Sequence, residues 1–84
     1  MAKTIAWTDG ARAGLRSIDQ QPAMRILLGL ARFVATDEGD VKQLRGMYPP
    51  EFRLRIGDYR VRFQDHGDHI EILTVKHRSA AYRQ

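Results

Sequence analysis

The residues of this chain best suited to chemistry are four arginines in one short segment: Arg53, Arg55, Arg60 and Arg62. A guanidinium is always charged, and its planar fork can bind an oxyanion through two parallel hydrogen bonds. Apolar and basic residues alternate on both sides of Gly57 and Asp58, which predicts two half-buried strands joined by a tight turn. In such a hairpin Arg55 faces Arg60 and Arg53 faces Arg62. All four guanidinium groups are then expected on one face of a sheet.

This arrangement needs a reason, because like charges directly opposite each other destabilise a pair of strands. One explanation is an anionic partner. The other is a solvated sheet face, on which the arginine stems merely cover apolar surface. Residues 1–40 carry five basic and five acidic side chains, whereas residues 41–84 carry nine basic and five acidic ones. A one-sided basic surface indicates nucleic acid or an acidic protein segment as the partner.

Length and composition limit the classes of protein to consider. The 84 residues are expected to form a single domain, residues 1–84. The absence of cysteine excludes thiolate metal sites and cysteine catalysis, and it fits a reducing compartment. The first residues lack the apolar core of a signal peptide, and the most apolar run, residues 26–31, is far too short to span a membrane. We therefore expect a cytoplasmic protein without membrane contact.

The first half of the chain predicts a short strand and two helices. Residues 4–7 are β-prone, and Thr8 or Asp9 is a plausible N-cap for a helix that runs to about Asp19. Pro22 suits the first position of a second helix, which should end before Gly39. The two helices are expected to form a helical hairpin.

The second helix is apolar over most of its circumference. Its sheet-facing stripe is predicted to be Leu27, Leu30, Ala31 and Val34. The opposite strip is then Arg25, Gly29, Arg32 and Thr36. The flank is Met24, Leu28 and Ala35, which either contacts the first helix or forms a groove for a partner.

A third strand is predicted from His69 to Lys76, after a turn at His66 and Gly67. With that turn, Glu71 faces Arg62 and Leu73 faces Arg60. The expected fold class is α+β, in the order of one strand, a two-helix hairpin and three consecutive antiparallel strands. The helices should cover one face of the sheet and leave the arginines on the other.

At this point the sequence resembles the RelE/ParE superfamily of toxins from bacterial type II toxin–antitoxin modules. The resemblance is carried by KQLRGM at 42–47, FRLRIGDYRV at 52–61 and VKHRSAAYR at 75–83. It implies a compact sheet, similar to that of microbial ribonucleases, with two helices packed on it. It also implies no cofactor or metal, a cognate antitoxin as partner, and contact with operator DNA only through the antitoxin complex.

The superfamily divides by activity. RelE-like members are ribosome-dependent endoribonucleases that cut mRNA and inhibit translation, whereas ParE-like members keep the fold, lack the catalytic set and poison DNA gyrase. The basic ending with a terminal tyrosine resembles the RelE branch, so the resemblance favours an enzyme that acts on the ribosome and mRNA. The alternatives are a ParE-like gyrase inhibitor and a module that binds RNA or the ribosome without cutting.

The resemblance also implies the site residues. By position in the family motif, the catalytic set is Arg53, Arg55, Arg60, Arg78 and Tyr82. Lys76 is an alternative to Arg78, and Arg45 matches a basic residue beside the site that positions the RNA backbone. Together with Arg62 on the arginine-bearing face, Arg45 and Lys76 are expected to bind RNA.

Cleavage by a ribose 2′-hydroxyl also needs a proton acceptor, and arginine is a poor one. His77 is the candidate, because histidine titrates near neutrality and the charges of Lys76 and Arg78 favour its neutral form. Glu71 is an alternative if it lies on the arginine-bearing face. A lone histidine is also commonly structural. Tyr82 would stack on a base or donate a proton, or it would pack a C-terminal turn.

Overall fold

The computed structural model describes residues 3–81, with the backbone alone at residues 80 and 81. Within these residues, five strands and three helices follow one another. In order they are β1 Thr4–Trp7, α1 Asp9–Arg16, α2 Gln20–Thr36, β2 Asp40–Leu44, β3 Glu51–Ile56, β4 Tyr59–Asp65, β5 His69–His77 and α3 Arg78–Ala81. Within the described part of the chain, no helix has the length and apolar character needed to cross a membrane.

Helix α1 begins where the sequence predicts it to begin. The Oγ1 of Thr8 accepts a hydrogen bond from the Ala11 N–H at 3.1 Å, the usual N-cap contact, and donates one to the Ile72 carbonyl at 2.8 Å. The helix ends at Arg16, three residues earlier than expected. Ser17 caps it there, with its N–H bonded to the Ala13 carbonyl and its hydroxyl bonded to the Gly14 carbonyl.

Helix α2 starts slightly earlier than predicted and turns a different stripe toward the sheet. It begins at Gln20, so that Pro22 is its third residue, and it ends at Thr36. The C-cap residue Asp37 adopts a left-handed conformation with φ of 61°. Ile26 and Leu30 are its fully buried side chains. The sequence predicts Leu30 correctly, but it places Ile26 in no stripe.

The predicted orientation of α2 is wrong at three positions. Leu27 is 39% exposed and Ala31 is exposed, although both were expected to face the sheet. Gly29, expected on the outer strip, faces β3 instead, where a Cβ would lie 2.8 Å from Ile56 Cδ1. The missing side chain lets the helix approach β3 closely at this point, and this close approach helps to decide which face turns inward.

The five strands form one sheet in the order β1-β5-β4-β3-β2. β1 pairs with β5 in parallel, and the other neighbours are antiparallel. The α+β class, the order of the predicted elements and the helical layer on one face are confirmed. β2 is an additional edge strand that the sequence analysis missed, because its polar residues lack the alternation that indicates a half-buried strand.

The predicted hairpin is confirmed residue for residue, with Arg53 opposite Arg62 and Arg55 opposite Arg60. The predicted pairing of β5 is wrong. Glu71 lies opposite Gln64 rather than Arg62, and Leu73 has no partner on β4. The two-residue turn lies one position later than predicted, at Gly67 and Asp68, because the His66 N–H donates to the His69 carbonyl. The pairing shifts by one further residue between Arg62 and Phe63, as in a β-bulge.

The core lies between the sheet and the two long helices. Its large fully buried side chains come from both layers and from three adjacent strands: Phe63, Ile26, Leu30, Leu54, Ile70, Ile72 and Val61. The ring of Phe63 packs against Phe33 and Phe52, with centroids 5.5 Å apart in both pairs. This packing joins α2, β3 and β4, so the alternate side chains of these two strands lie on the opposite face of the sheet.

Candidate functional site

The candidate site is the sheet face that carries Arg53, Arg55, Arg60 and Arg62, which we call the arginine face. Successive side chains of a strand point to opposite sides of the sheet. Leu54 and Val61 alternate with these arginines and are buried beneath the helices. The arginine face is therefore the layer opposite the helices.

Strand β5 extends this face beside β4. Because of the bulge, Lys76 lies opposite Arg60 and Thr74 lies opposite Arg62. The neighbour of Arg60 is thus a second cation rather than the leucine expected from the sequence. The bulge strengthens the positive charge at this point of the face.

The charge of the arginine face is not uniform along the strands. Near the β3–β4 turn, one row across the sheet carries Arg55, Arg60 and Lys76. At the other end, the row formed with Gln64 carries Glu51 and Glu71. Along β3 these rows are separated by about 13 Å. A phosphate is therefore expected to bind at the end near the β3–β4 turn.

A first open depression on this face adjoins the loop between β2 and β3 and has a volume of about 400 Å³. We call it the loop-side depression. Its basic lining residues are Arg45, Arg53, Arg60, Arg62 and Lys76. Leu44, Met47 and Thr74 complete its lining. The structure therefore brings together the three residues expected to bind RNA and two of those expected to act in catalysis.

A second depression of about 450 Å³, the turn-side depression, is lined by Arg55, Arg60, Arg78 and Ser79. The N–H of Arg78 donates a hydrogen bond to the Asp58 carbonyl at 2.7 Å, which ties the start of α3 to the β3–β4 turn. Arg78 thereby joins the two hairpin arginines. Arg60 lines both depressions and lies at the centre of the site.

Arg62 differs from the other arginines because a carboxylate holds it. Its Nη2 lies 2.5 Å from Glu51 Oε1, and the side chains are 41% and 14% exposed, respectively. The Nε of Arg62 is buried, with no hydrogen-bond partner among the described residues. The ion pair fixes the Arg62 side chain and compensates its charge, which makes it less available to a phosphate.

His77 does not lie on the arginine face. It is paired with Tyr59, and because Val61 and Val75 point into the core, alternation puts Tyr59 and His77 on the helix side of the sheet. The two rings make an edge contact with centroids 5.2 Å apart, and His77 Nδ1 lies 2.9 Å from Ser79 Oγ. Because successive residues of a strand point to opposite faces, His77 points away from the face that carries Lys76, where a proton acceptor is expected.

The two remaining expectations for the site have different outcomes. Glu71 lies on the arginine face, but at the end away from Arg60, where its Oε1 is 3.2 Å from His66 Nε2. Tyr82 lies outside the described residues. Within residues 3–81 there is no cluster of three or more histidine and acidic side chains that could hold a metal ion.

The turn between β4 and β5 has its own electrostatics. His66 and His69 stack with ring centroids 4.8 Å apart, and the hydrogen bond from His69 lowers the pKa of Asp68. Burial alone would raise the pKa of Asp65. Lys3 Nζ at 2.6 Å and the Gly67 N–H at 2.9 Å outweigh burial and hold the pKa of Asp65 below its ordinary value.

Five residues of the site were not predicted from the sequence: Glu51, Leu44, Met47, Thr74 and Ser79. Glu51 directly precedes Phe52 and continues the alternation of that segment. The predicted hairpin register therefore already places Glu51 on the arginine face. Leu44 and Met47 gave no such signal, because their position depends on β2 and the loop after it. Strand β2, which positions the start of that loop beside the sheet, was not expected from the sequence.

The comparisons with known proteins agree with this fold. Residues 5–82 match the family model described as ParE toxin of type II toxin-antitoxin system, parDE. No curated protein sequence matches the chain. The solved structures that resemble it include three toxin–antitoxin complexes.

The RelB–RelE antitoxin–toxin complex from Methanococcus jannaschii aligns with a TM-score of 0.77 and 22% identity, over 93% of this chain and 95% of that one. The RelE–RelB complex from Pyrococcus horikoshii OT3 aligns with a TM-score of 0.76 and 24% identity over the whole of both chains. The RelBE2 toxin–antitoxin complex from Mycobacterium tuberculosis aligns with a TM-score of 0.62 and 28% identity, over 93% of this chain and all of that one.

The two archaeal structures corroborate the fold, and the family model spans nearly the whole chain. The chain therefore belongs to the RelE/ParE superfamily of toxins of type II toxin–antitoxin systems.

Proposed function

We propose that this toxin is a ribosome-dependent mRNA endoribonuclease that inhibits translation in the cytoplasm. The observation that carries the proposal is the convergence of Arg55, Arg60 and Arg78 on one depression, with Lys76 opposite Arg60 on the adjoining strand. Attack by a ribose 2′-hydroxyl on the neighbouring phosphate, with the hydroxyl proton passing to solvent, builds negative charge on the phosphorane oxygens before the bond to the 5′-oxygen breaks. Fixed cations beside those oxygens stabilise the transition state.

The roles follow from chemistry and position. Arg60 stabilises the phosphorane, because it lines both depressions and a guanidinium keeps its charge throughout the reaction. Arg55 and Arg78 hold the phosphate from the turn side. Arg45 and Arg53 bind the RNA backbone from the loop side.

Lys76 takes a role that arginine performs poorly. A lysine ammonium can release a proton to the leaving 5′-oxygen more readily than a guanidinium can. Its position opposite Arg60 puts it on the same face as the proposed phosphate site. The placement of His77 on the helix side argues against its role as the proton acceptor. Tyr82 stays a prediction of the sequence analysis, as a residue that stacks on a base or donates a proton.

The proposed partners are the ribosome with its mRNA and a cognate antitoxin. Three solved structures that resemble the chain are complexes of a toxin with its antitoxin, which supports such a partner. We propose that the antitoxin covers the arginine face with an acidic segment and covers the exposed apolar side chains of α2. Met24 and Leu28 are 49% and 65% exposed there. Operator DNA is contacted only through the antitoxin complex.

A second candidate function is the inhibition of DNA gyrase. The description of the matching family model as ParE toxin favours it. The arginine face also favours gyrase inhibition, because its two described glutamates already contact other side chains. Glu51 contacts Arg62, and Glu71 contacts His66. A gyrase inhibitor would need no proton acceptor near Arg60.

One experiment separates the two candidates. Purified toxin is incubated with ribosomes carrying a defined mRNA, and in parallel with gyrase and relaxed plasmid. The proposal predicts cleavage of the mRNA on the ribosome, with little cleavage of free mRNA and normal supercoiling. Inhibited supercoiling without mRNA cleavage would contradict it and establish the second candidate.

A further inference from the structure

We propose that the loop-side depression is a binding site for one nucleobase, adjacent to the phosphate site around Arg60. The inference rests on the proposed function, since it describes how the site holds RNA. It goes further by assigning a role to Leu44 and Met47.

The first argument is the combination of apolar and cationic lining. Leu44 and Met47 form an apolar wall in a depression whose five charged lining residues are all basic. Met47 is 42% exposed, and the next residue of the same loop, Tyr48, is 94% exposed. A nucleotide matches this combination, because the faces of its base are apolar and its phosphate is anionic.

The second argument is the change in charge along the depression. At the loop end, Glu51 compensates the charge of Arg62, whereas Arg60 and Lys76 together form the cationic end. A second phosphate is therefore disfavoured directly beside Arg62 and Glu51, and Arg45 and Arg53 are left to hold the RNA backbone at this end. A neutral group with a polar edge fits better, since Arg62 and the Thr74 hydroxyl can hydrogen-bond to it.

The third argument is size. The volume of about 400 Å³ lies within the range of small-ligand sites, although the depression is open. The row of Arg62 and Thr74 is two residues from the row of Arg60 and Lys76, or about 7 Å along the strand. This separation is on the scale of a single nucleotide. A base against Met47 and its phosphate at Arg60 would thus fill adjacent parts of the same depression.

The test compares ligands with and without a base. Purified full-length toxin is titrated with AMP, UMP and ribose 5-phosphate, and binding is followed by amide chemical shifts. We expect both nucleotides to bind about tenfold more tightly than ribose 5-phosphate, a typical gain from one stacked base. Met47→Ser should remove most of this preference and leave the affinity for ribose 5-phosphate unchanged.

Met24→Ser is the matched control, because Met24 is a similarly exposed methionine on α2. It should leave all three affinities unchanged. Since Met47 and Met24 are both surface residues, both variants are expected to fold, which circular dichroism verifies. Leu44→Ser provides a second variant of the apolar wall.

The other outcomes overturn the inference in distinguishable ways. Equal affinity of wild-type toxin for the three ligands would remove the base site and leave the phosphate site, and with it the proposed function, intact. If none of the three binds, the phosphate site fails as well. If Met47→Ser keeps the preference for nucleotides but weakens binding of a protein partner, the depression is a protein-docking site.

Discussion

Arg53 and Arg62 face each other across β3 and β4, yet the structure gives them different electrostatic surroundings. Arg62 is paired with Glu51, whereas no ion pair joins Arg53 to a carboxylate within residues 3–81. Their contributions to RNA binding should therefore differ. The sequence alone, which presents the two arginines as equivalent, predicts equal contributions.

The salt dependence of RNA affinity measures this difference. About three or four phosphate contacts should give a log–log slope of roughly −2 to −3 for single-stranded RNA. Arg53→Ala is expected to make the slope shallower by about 0.7. Arg62→Ala should change the slope much less, because Glu51 already compensates the charge of Arg62. Fluorescence anisotropy at several salt concentrations provides the slopes. Equal effects of the two variants would refute the role given to Glu51. A slope near zero for the wild-type toxin would mean that the arginine face is only a solvated surface.

Lys76 and His77 are neighbours in the chain that point to opposite sides of the sheet. Lys76→Met should lower the rate of cleavage of ribosome-bound mRNA by roughly 10²-fold or more, because the ammonium of Lys76 donates a proton to the leaving oxygen or stabilises the phosphorane. His77→Gln should change the rate only a few-fold, since the ring packs on Tyr59 on the helix side. Single-turnover cleavage assays compare the two. If His77→Gln instead lowered the cleavage rate by a similar factor, and the rate no longer changed with pH near neutrality, His77 would be the proton acceptor.

At the scale of elements, α1 and β5 contact each other through a glycine. A Cβ at Gly14 would lie 2.9 Å from the Val75 carbonyl oxygen, which is a backbone atom and cannot move aside easily. Gly14→Ala should therefore destabilise the fold by about 1–3 kcal/mol. In the same helix, a Cβ at Gly10 would make an ordinary contact of 3.7 Å with the Leu73 carbonyl oxygen.

Gly10→Ala is the matched control for this prediction. It should be neutral or stabilising by up to about 1 kcal/mol, because alanine favours helix. Urea denaturation of both variants gives the free energies of unfolding. Equal destabilisation by the two substitutions would show that α1 does not approach β5 as closely as described.

The elements also show which parts of the site could be predicted from sequence. The β3–β4 hairpin was predictable in full, since period-two alternation and a glycine turn determine its register. The pairing of β5 was not, because the turn lies at Gly67 and Asp68 rather than at His66 and Gly67, and because a bulge at Leu73 leaves no clear mark in the sequence. The orientation of α2 was missed because the close approach at Gly29 is a property of two packed elements. As a result, Arg53 to Arg62 were placed correctly, whereas Glu71 and His77 were not.

At the scale of the whole molecule, one ion pair connects the start of the chain to the middle of the sheet. Lys3 precedes β1, and its Nζ lies 2.6 Å from Asp65 Oδ2 at the end of β4. The native pKa of Asp65 is lowered, so this contact stabilises the fold above about pH 4 and is lost as the pH falls through the native pKa.

Asp65→Asn isolates the charge, because asparagine can still accept the hydrogen bond from the Gly67 N–H. It should lower the free energy of unfolding at pH 7 by up to about 1 kcal/mol, and the difference from wild type should shrink below about pH 4. Lys3→Met should have a similar effect, and the double variant should lose less than the sum of both. Denaturant titrations between pH 3 and pH 7 test this, and a pH-independent difference would contradict it.

The central claim is that the arginine face cuts mRNA on the ribosome, and mapping of mRNA 5′ ends tests it most directly. Wild-type toxin, Arg60→Ala and the control Arg12→Ala are each induced without antitoxin in a bacterial host. Arg12 is an exposed arginine of α1, in the layer opposite the site. The proposed function predicts growth arrest with new 5′ ends inside translated reading frames for wild type and Arg12→Ala, and roughly 10²-fold fewer such ends for Arg60→Ala. Growth arrest by wild type without new 5′ ends, or full cleavage by Arg60→Ala, would contradict it.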